Sequence, residues 1–330
     1  MSILVTGGTG FVGSAVVRAL IAQGERPRCL VRRDSDRRNL EGLSVDLVEG
    51  DLEDGDSLDA AIKGCSALFH IAADYRIWVR RPETMLRTNV EGTKRLMELA
   101  LRHGLEKIVY TSSVAALGKA PQGAPADEET PAVLRDMVGV YKRSKFLAEA
   151  EVRRLHGASG LPVVIVNPST PVGPGDVKPT PTGRLVVEAA SGRIPAFVET
   201  GLNVVHVDDV AAGHLLAFDK GQIGERYVLG GENLALGEIL AQVAGLRGRR
   251  APTLRLPRRP LFPLAYAAEG WARLSGGREP LLTVDGLKMA AKPMYFSSAK
   301  ARESLGYRPR PACEALQDAI GWFEAQGYLN

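Results

Sequence analysis

Cysteine is scarce in this chain. The 330 residues hold three, at positions 29, 65 and 313. They are odd in number and far apart, so they offer neither zinc spacing nor a disulfide framework, and no metal site is expected. Such usage suits a reducing compartment, here the cytoplasm. No apolar run approaches the roughly 20 residues of a membrane-spanning helix. A positively charged leader is also missing: the chain passes straight into the apolar run Ile3-Leu4-Val5, which reads as a protein without a signal peptide. There is no internal repeat and no low-complexity tail. The net charge is only +4 and the arginines are spread along the chain, which excludes a nucleic-acid footprint. What is present is ordinary for a soluble protein, 45% hydrophobic and 24% charged residues, in a chain long enough to bury a real core.

Directly behind the first apolar run stands Thr6-Gly7-Gly8-Thr9-Gly10-Phe11-Val12-Gly13, followed by the helical stretch that continues through Leu20. A strand that enters a glycine turn and leaves it as a helix is the layout a dinucleotide pyrophosphate requires. Glycine lets the backbone turn sharply and approach the phosphates, and the helix start offers unpaired N–H groups at its positive dipole end. Gly7, Gly10 and Gly13, with Thr9, Phe11 and Val12 between them, are the expected cofactor-binding turn.

The first half of the chain alternates short apolar runs with amphipathic stretches, as parallel βαβ units do. Strands are predicted at Ile3–Thr6, Arg28–Val31, Ser44–Val48, Ala67–Ile71, Lys107–Thr111 and Pro162–Val166. Helices are predicted at Phe11–Gln23, Ser57–Ile62, Glu83–His103 and Tyr141–Leu155. The expected class is α/β, a doubly wound parallel Rossmann sheet with a smaller, mostly helical C-terminal substrate lobe. Residues 1–170 form the dinucleotide-binding part, with 203–220 returning to it, and 171–330 form a non-contiguous lobe. Ligands of open α/β sheets bind at the carboxyl ends of the strands. Gly7, Asp51, Ala72, Ser113 and Asn167 all fall there.

Tyr141 and Lys145 stand four apart at the start of a predicted helix and so share one face. A phenol is a weak acid–base at neutral pH, and an ammonium one turn away would favour its ionised form. Ser113, at the end of a predicted strand, could hold a substrate oxygen for Tyr141. Past the second predicted strand, where an NAD-preferring site carries an acid, stand Arg32 and Arg33. A guanidinium there can pair with a ribose phosphate, which favours NADP(H); Asp34 leaves room for NAD(H).

Together these motifs make the chain resemble the extended short-chain dehydrogenase/reductases, over nearly its whole length. Within them it is most similar to the dihydroflavonol-reductase-like branch that includes the hopanoid-associated sugar epimerases. Ala73 to Trp78, Thr88 to Thr93, Tyr141 to Leu147, Val166 to Pro171 and His206 to Val210 carry the similarity. The resemblance implies catalysis by Ser113, Tyr141 and Lys145, with Lys145 also on the nicotinamide ribose. It implies cofactor contacts from Asp51 and Leu52 at the adenine, from Ala72 and Ala73 along the cofactor, and from Asn167, Pro168 and Ser169 at the nicotinamide end. Asn89 would steady the active-site backbone.

The expected activity is NADP(H)-dependent hydride transfer between the nicotinamide and a carbonyl or secondary alcohol of a small-molecule substrate. Epimerisation or dehydration of a sugar, and a non-catalytic cofactor-binding regulator, are the alternatives. A homodimer is expected through Glu83–His103 and Tyr141–Leu155, where Met85, Leu86, Met97 and Leu147 exceed what one subunit needs to cover. Tyr75, Arg76, Trp78, Lys178, Thr180 and Thr182 are candidate pocket residues. His206 reads as a core histidine and Asp208 as a helix cap. Arginines 247–259 ahead of Pro260–Tyr266 could dock on a membrane surface, but the prolines argue against a long amphipathic helix, so that reading is not favoured.

Overall fold

The computed structural model describes the chain except residues 1, 77, 78, 80, 121–123, 276–279, 281 and 330, so Trp78 lies outside the described residues. Seven parallel strands form the large sheet: β1 (Ile3–Thr6), β2 (Arg28–Val31), β3 (Asp46–Glu49), β4 (Ala67–His70), β5 (Lys107–Thr111), β6 (Val163–Pro168) and β10 (Arg226–Leu229). Their order across the sheet is β10-β6-β5-β4-β1-β2-β3. The strand order reverses between β1 and β4, so a crevice opens at their carboxyl ends. Register brings Thr6 level with His70 and Leu30, so the glycine turn, Ala72 and Arg32 leave the sheet at one edge.

Both faces of the sheet are covered. Helices α1 (Phe11–Ala22) and α7 (Val207–Lys220) pack together on one face, around Val5, Val16, Val17, Phe69, Val109 and Val210. Helices α2 (Gly55–Ile62), α4 (Gly92–Arg102) and α5 (Gly139–Ser159) cover the other, around Leu4, Leu58, Leu68, Leu96, Tyr110 and Val152. Strands buried on both faces read as continuous apolar runs, which is why these elements were legible, except the edge strand β3, which is largely exposed.

The predicted helix Glu83–His103 is three pieces. A short helix α3 (Pro82–Leu86) runs into a π-helical turn at Arg87–Glu91 and then into α4. Of residues 203–220, expected to return to the dinucleotide-binding part, helix α7 packs on the large sheet, but the strand does not join it. That strand, β9 (Gly201–His206), pairs instead with β7 (Thr170–Val172) and β11 (Glu232–Ala235) in a small separate sheet. The large sheet is extended by β10. Both runs are short, so periodicity cannot rank them; at the sheet edge Arg226 of β10 pairs with the buried carboxylate of Glu149. Helices α6 (Pro181–Ala190), α8 (Leu236–Leu246) and α12 (Ala312–Ala325) pack around β9 through Val187, Val204, Ile239, Leu316 and Phe323.

No long helix runs from the arginines through the prolines; the helix begins only at Phe262. Pro260 sits in a 3₁₀ turn and Pro263 in the first turn of α9 (Phe262–Ser275), where a missing N–H is harmless. This helix exposes Leu264, Tyr266, Trp271 and Leu274, the last at 86%. Met85 and Met97, offered above for a dimer face, are fully buried within the subunit. Leu86 and Leu147 are half-buried. Among the described residues no helix is long and apolar enough to cross a membrane, and no metal-ligand cluster is found.

Candidate active site

The glycine turn is built as its sequence demands. Gly7 has φ +76°, and a Cβ there would meet the Ala72 backbone at 2.7 Å. A Cβ on Gly13 would lie 2.0 Å from the Gly7 carbonyl, so the helix can start this close to the turn only with glycine. Gly10 N–H donates to Gly7 O at 2.9 Å. Gly10 caps α1 without a side-chain acceptor, and no acidic residue stands in the first turn. The leading N–H groups of α1 are therefore free to receive an anion. Asn39 donates from Nδ2 to Thr9 O and Gly175 O, tying the turn to the loop that crosses after β7. Phe11 is buried and Val12 half-buried against the core.

Arg32 and Arg33 are exposed just past β2, and so is Asp34. The Asp51 carboxylate accepts from Glu53 N–H at 2.9 Å, while Asp54 is the residue that caps α2. Leu52 is buried against Gly92. Ala72 N–H donates to Thr6 Oγ1, and Thr6 in turn meets His70 Nδ1 at 2.7 Å. Burial holds the His70 imidazole far below its usual range, to about 3, so it is neutral.

Asn89 occupies the π-helical turn and is buried. Its Oδ1 accepts from Asp74 N–H at 2.7 Å and its Nδ2 donates to Asp74 O at 2.8 Å and to Ser144 Oγ at 2.9 Å. The wider π turn is what lets one amide reach both a loop backbone and α5. Ala73 precedes this clamp. Tyr75 beside it is exposed, and Arg76 is paired with Asp74 at 2.5 Å.

Ser113 follows β5, and its Oγ accepts from Ala115 N–H at 3.1 Å. Tyr141 stands in the first turn of α5. Burial raises its pKa, and hydrogen-bond donation from the Ser113 hydroxyl opposes that shift. Lys145 is buried one turn further; its ammonium donates to Thr111 O at 2.8 Å and lies 5.1 Å from the centre of the Tyr110 ring. Burial pulls this ammonium down to about 8, with Glu149 acting the other way. The expected lowering of the Tyr141 phenol by Lys145 is not found. Desolvation dominates the phenol, and the ammonium is engaged by the Thr111 carbonyl.

Sequence reasoning missed Glu149, one more helical turn along the same face as Tyr141 and Lys145. Its Oε2 accepts from Ser112 Oγ at 2.5 Å and from Asn167 Nδ2 at 2.8 Å, and its Oε1 pairs with Arg226 at 2.8 Å. Asn167 Nδ2 also donates to Ser113 O at 3.0 Å. The i, i+4, i+8 series Tyr-Lys-Glu was the available signal, but an acidic residue on a charged helix reads as surface. Asn167 Oδ1 and Ser169 Oγ, at the carboxyl end of β6 around the buried Pro168, are buried without a partner in the protein. These two unclaimed groups fit the amide end of a nicotinamide, as the turn fits its pyrophosphate.

Other candidates have structural duties. Thr180 caps α6 and donates to Asp176, while Lys178 is exposed and Thr182 half-buried beside it. His206, not Asp208, caps α7: its Nδ1 accepts from Asp208 N–H at 3.0 Å, and its Nε2 meets Asp318 at 3.2 Å.

Comparison with known proteins adds the context. Residues 3–230 match the model of the NAD dependent epimerase/dehydratase family. The chain is 44% identical to a Synechocystis sp. protein with a provisional dihydroflavonol 4-reductase name, covering 99% of this chain and 95% of that one. It is 37% identical to sterol demethylase protein B of Methylococcus capsulatus over 100% of both chains. The crystal structure of gox2253 superposes with a TM-score of 0.90 at 54% identity, covering 100% of this chain and 99% of that one.

Proposed function

The chain belongs to the NAD-dependent epimerase/dehydratase family, and on that premise we propose that it reduces the carbonyl of a small-molecule substrate with NADPH, or runs the reverse oxidation. The observation that carries this reading is the junction of β5 and α5, where the Ser113 hydroxyl acts on the Tyr141 phenol and Lys145 stands one turn away. When bound, the nicotinamide supplies a hydride to the carbonyl carbon. The Ser113 hydroxyl then donates a hydrogen bond to the substrate oxygen. The C=O electron pair moves onto that oxygen, and Tyr141 gives it a proton. Burial keeps the phenol protonated at neutral pH, which suits a general acid and so the reductive direction. Lys145 holds the nicotinamide ribose, and its positive charge stabilises the phenolate left behind until a proton from solvent restores the phenol. Gly7 to Gly13 and the start of α1 hold the pyrophosphate, Asp51 and Leu52 the adenine, Ala72 and Ala73 the middle, and Asn167 and Ser169 the carboxamide. Asn89 positions the loop after β4.

Arg32, exposed beside the turn, supports NADPH over NADH. One charge-assisted hydrogen bond contributes about 1.5–3 kcal/mol, roughly ten- to a hundredfold in affinity. NADPH should titrate tighter than NADH, and Arg32→Ala should narrow the gap. Tighter NADH binding by the unaltered protein would refute the preference.

Epimerisation is the second reading, favoured by the family model itself. An epimerase must recapture its own hydride and gains from a retained oxidised cofactor. Stoichiometric NAD⁺ released from denatured protein, with epimerisation of a nucleotide sugar without added cofactor, would replace the reductase reading.

We further propose a C2 homodimer through the α3–α4 segment and α5, resting on Leu86 in α3 and Leu147 in α5 now that the methionines are accounted for. Light scattering at micromolar concentration should report twice the 35.4 kDa chain mass. A monomer there would count against it.

A further inference from the structure

Val114 and Lys142 directly follow Ser113 and Tyr141 in the chain, and both line a cavity of about 250 Å³. Its apolar wall includes Leu117, Met294 and Phe296. Three lysines, Lys119, Lys142 and Lys292, complete the lining, and no carboxylate does so among the described residues. Lys142 is buried, at 9% exposure, and its ammonium sits 3.3 Å from the Met294 sulfur, a weak acceptor. The other two lysines are exposed at the rim.

The ammonium groups feel one another. Burial depresses the Lys142 pKa to about 8, and Lys119 adds to the effect. Burial and then Lys292 lower that of Lys119, with Asp136 opposing. A buried cation without a good acceptor is unfavourable, and converging cations over an apolar wall concentrate positive potential. What relieves both is an anion brought in with the ligand.

We propose that this cavity is a subsite for an amphipathic organic anion, which seats its anionic head on Lys142, Lys119 and Lys292 and its apolar body against Leu117, Met294 and Phe296. The volume accommodates about eight groups the size of a water molecule, whose share of liquid is about 30 Å³. A short aliphatic or single-ring body fits. Only the further step, that this anion is the substrate of Ser113 and Tyr141, rests on the reductase reading. Val114 and Lys142 set the cavity beside the junction of β5 and α5, so an anion held here sits next to the elements that carry the reacting groups.

The test is calorimetric titration of the whole protein, without nucleotide, using octanoate, octyl phosphate and octanol. At least one of the two anions should bind tenfold or more tighter than octanol, the scale of one charge-assisted hydrogen bond. Comparing octanoate with octyl phosphate identifies the head group. Lys142→Met should erase the preference for the anion. Because Lys142 is buried beside Tyr141, the double variant of the exposed pair, Lys119→Gln with Lys292→Gln, is the second probe and should reduce the preference severalfold. Octanol binding as tightly as both anions, or a preference unchanged in both variants, would overturn the proposal. Tyr141→Phe should leave octanoate binding intact, so failure of the anion site and failure of the reductase reading remain distinguishable.

Discussion

Tyr141→Phe is expected to lower turnover on a carbonyl substrate by about a hundredfold or more, the scale of a lost general acid. The substitution removes one hydroxyl from a half-buried ring and leaves the ring in place. The melting temperature and NADPH affinity should therefore stay near those of the unaltered protein. The pair of readouts matters, because a fall in activity with a fall in stability would only report damage to α5. Near-normal turnover with Phe at 141 would eliminate the mechanism, since no other group is proposed to protonate the oxygen.

Arg226→Met should destabilise the fold by about 3 kcal/mol or more. Glu149 would remain buried, its side chain only 4% exposed, with hydrogen bonds from Ser112 and Asn167 but without its cation. Removing one partner of a buried pair strands the other charge, which is costlier than never having buried the pair. The double variant Glu149→Gln with Arg226→Met should therefore recover part of the loss. Urea denaturation of the three proteins measures both effects. A loss under about 1 kcal/mol for Arg226→Met would mean that water reaches Glu149 and solvates it.

The large sheet was legible because its strands, apart from the exposed edge strand β3, are buried on both faces and its turns carry glycine. The cofactor turn was legible for a stronger reason. Gly7 and Gly13 stand where any side chain would strike backbone, so the sequence at those positions is forced by geometry. Less could be read where two arrangements share one pattern. Asn203–Val207 and Arg226–Leu229 are both short runs of mixed polarity, and local pattern does not say which joins the sheet. Glu149 escaped because burial of an acid depends on groups 18 to 77 residues away, Asn167 and Arg226 among them.

The π-helical turn at Arg87–Glu91 has a consequence for how this fold tolerates length changes. A π turn closes its hydrogen bonds one residue later than an α turn, so it holds one residue that a regular helix would not. A family of such proteins could lose a residue there and simply regularise the helix, with α4 still presenting Leu96 and Met97 to the sheet. Asn89 would rotate away from Asp74 and Ser144 in the same event. The segment thus separates two kinds of inheritance: the packing face survives a deletion that the site does not.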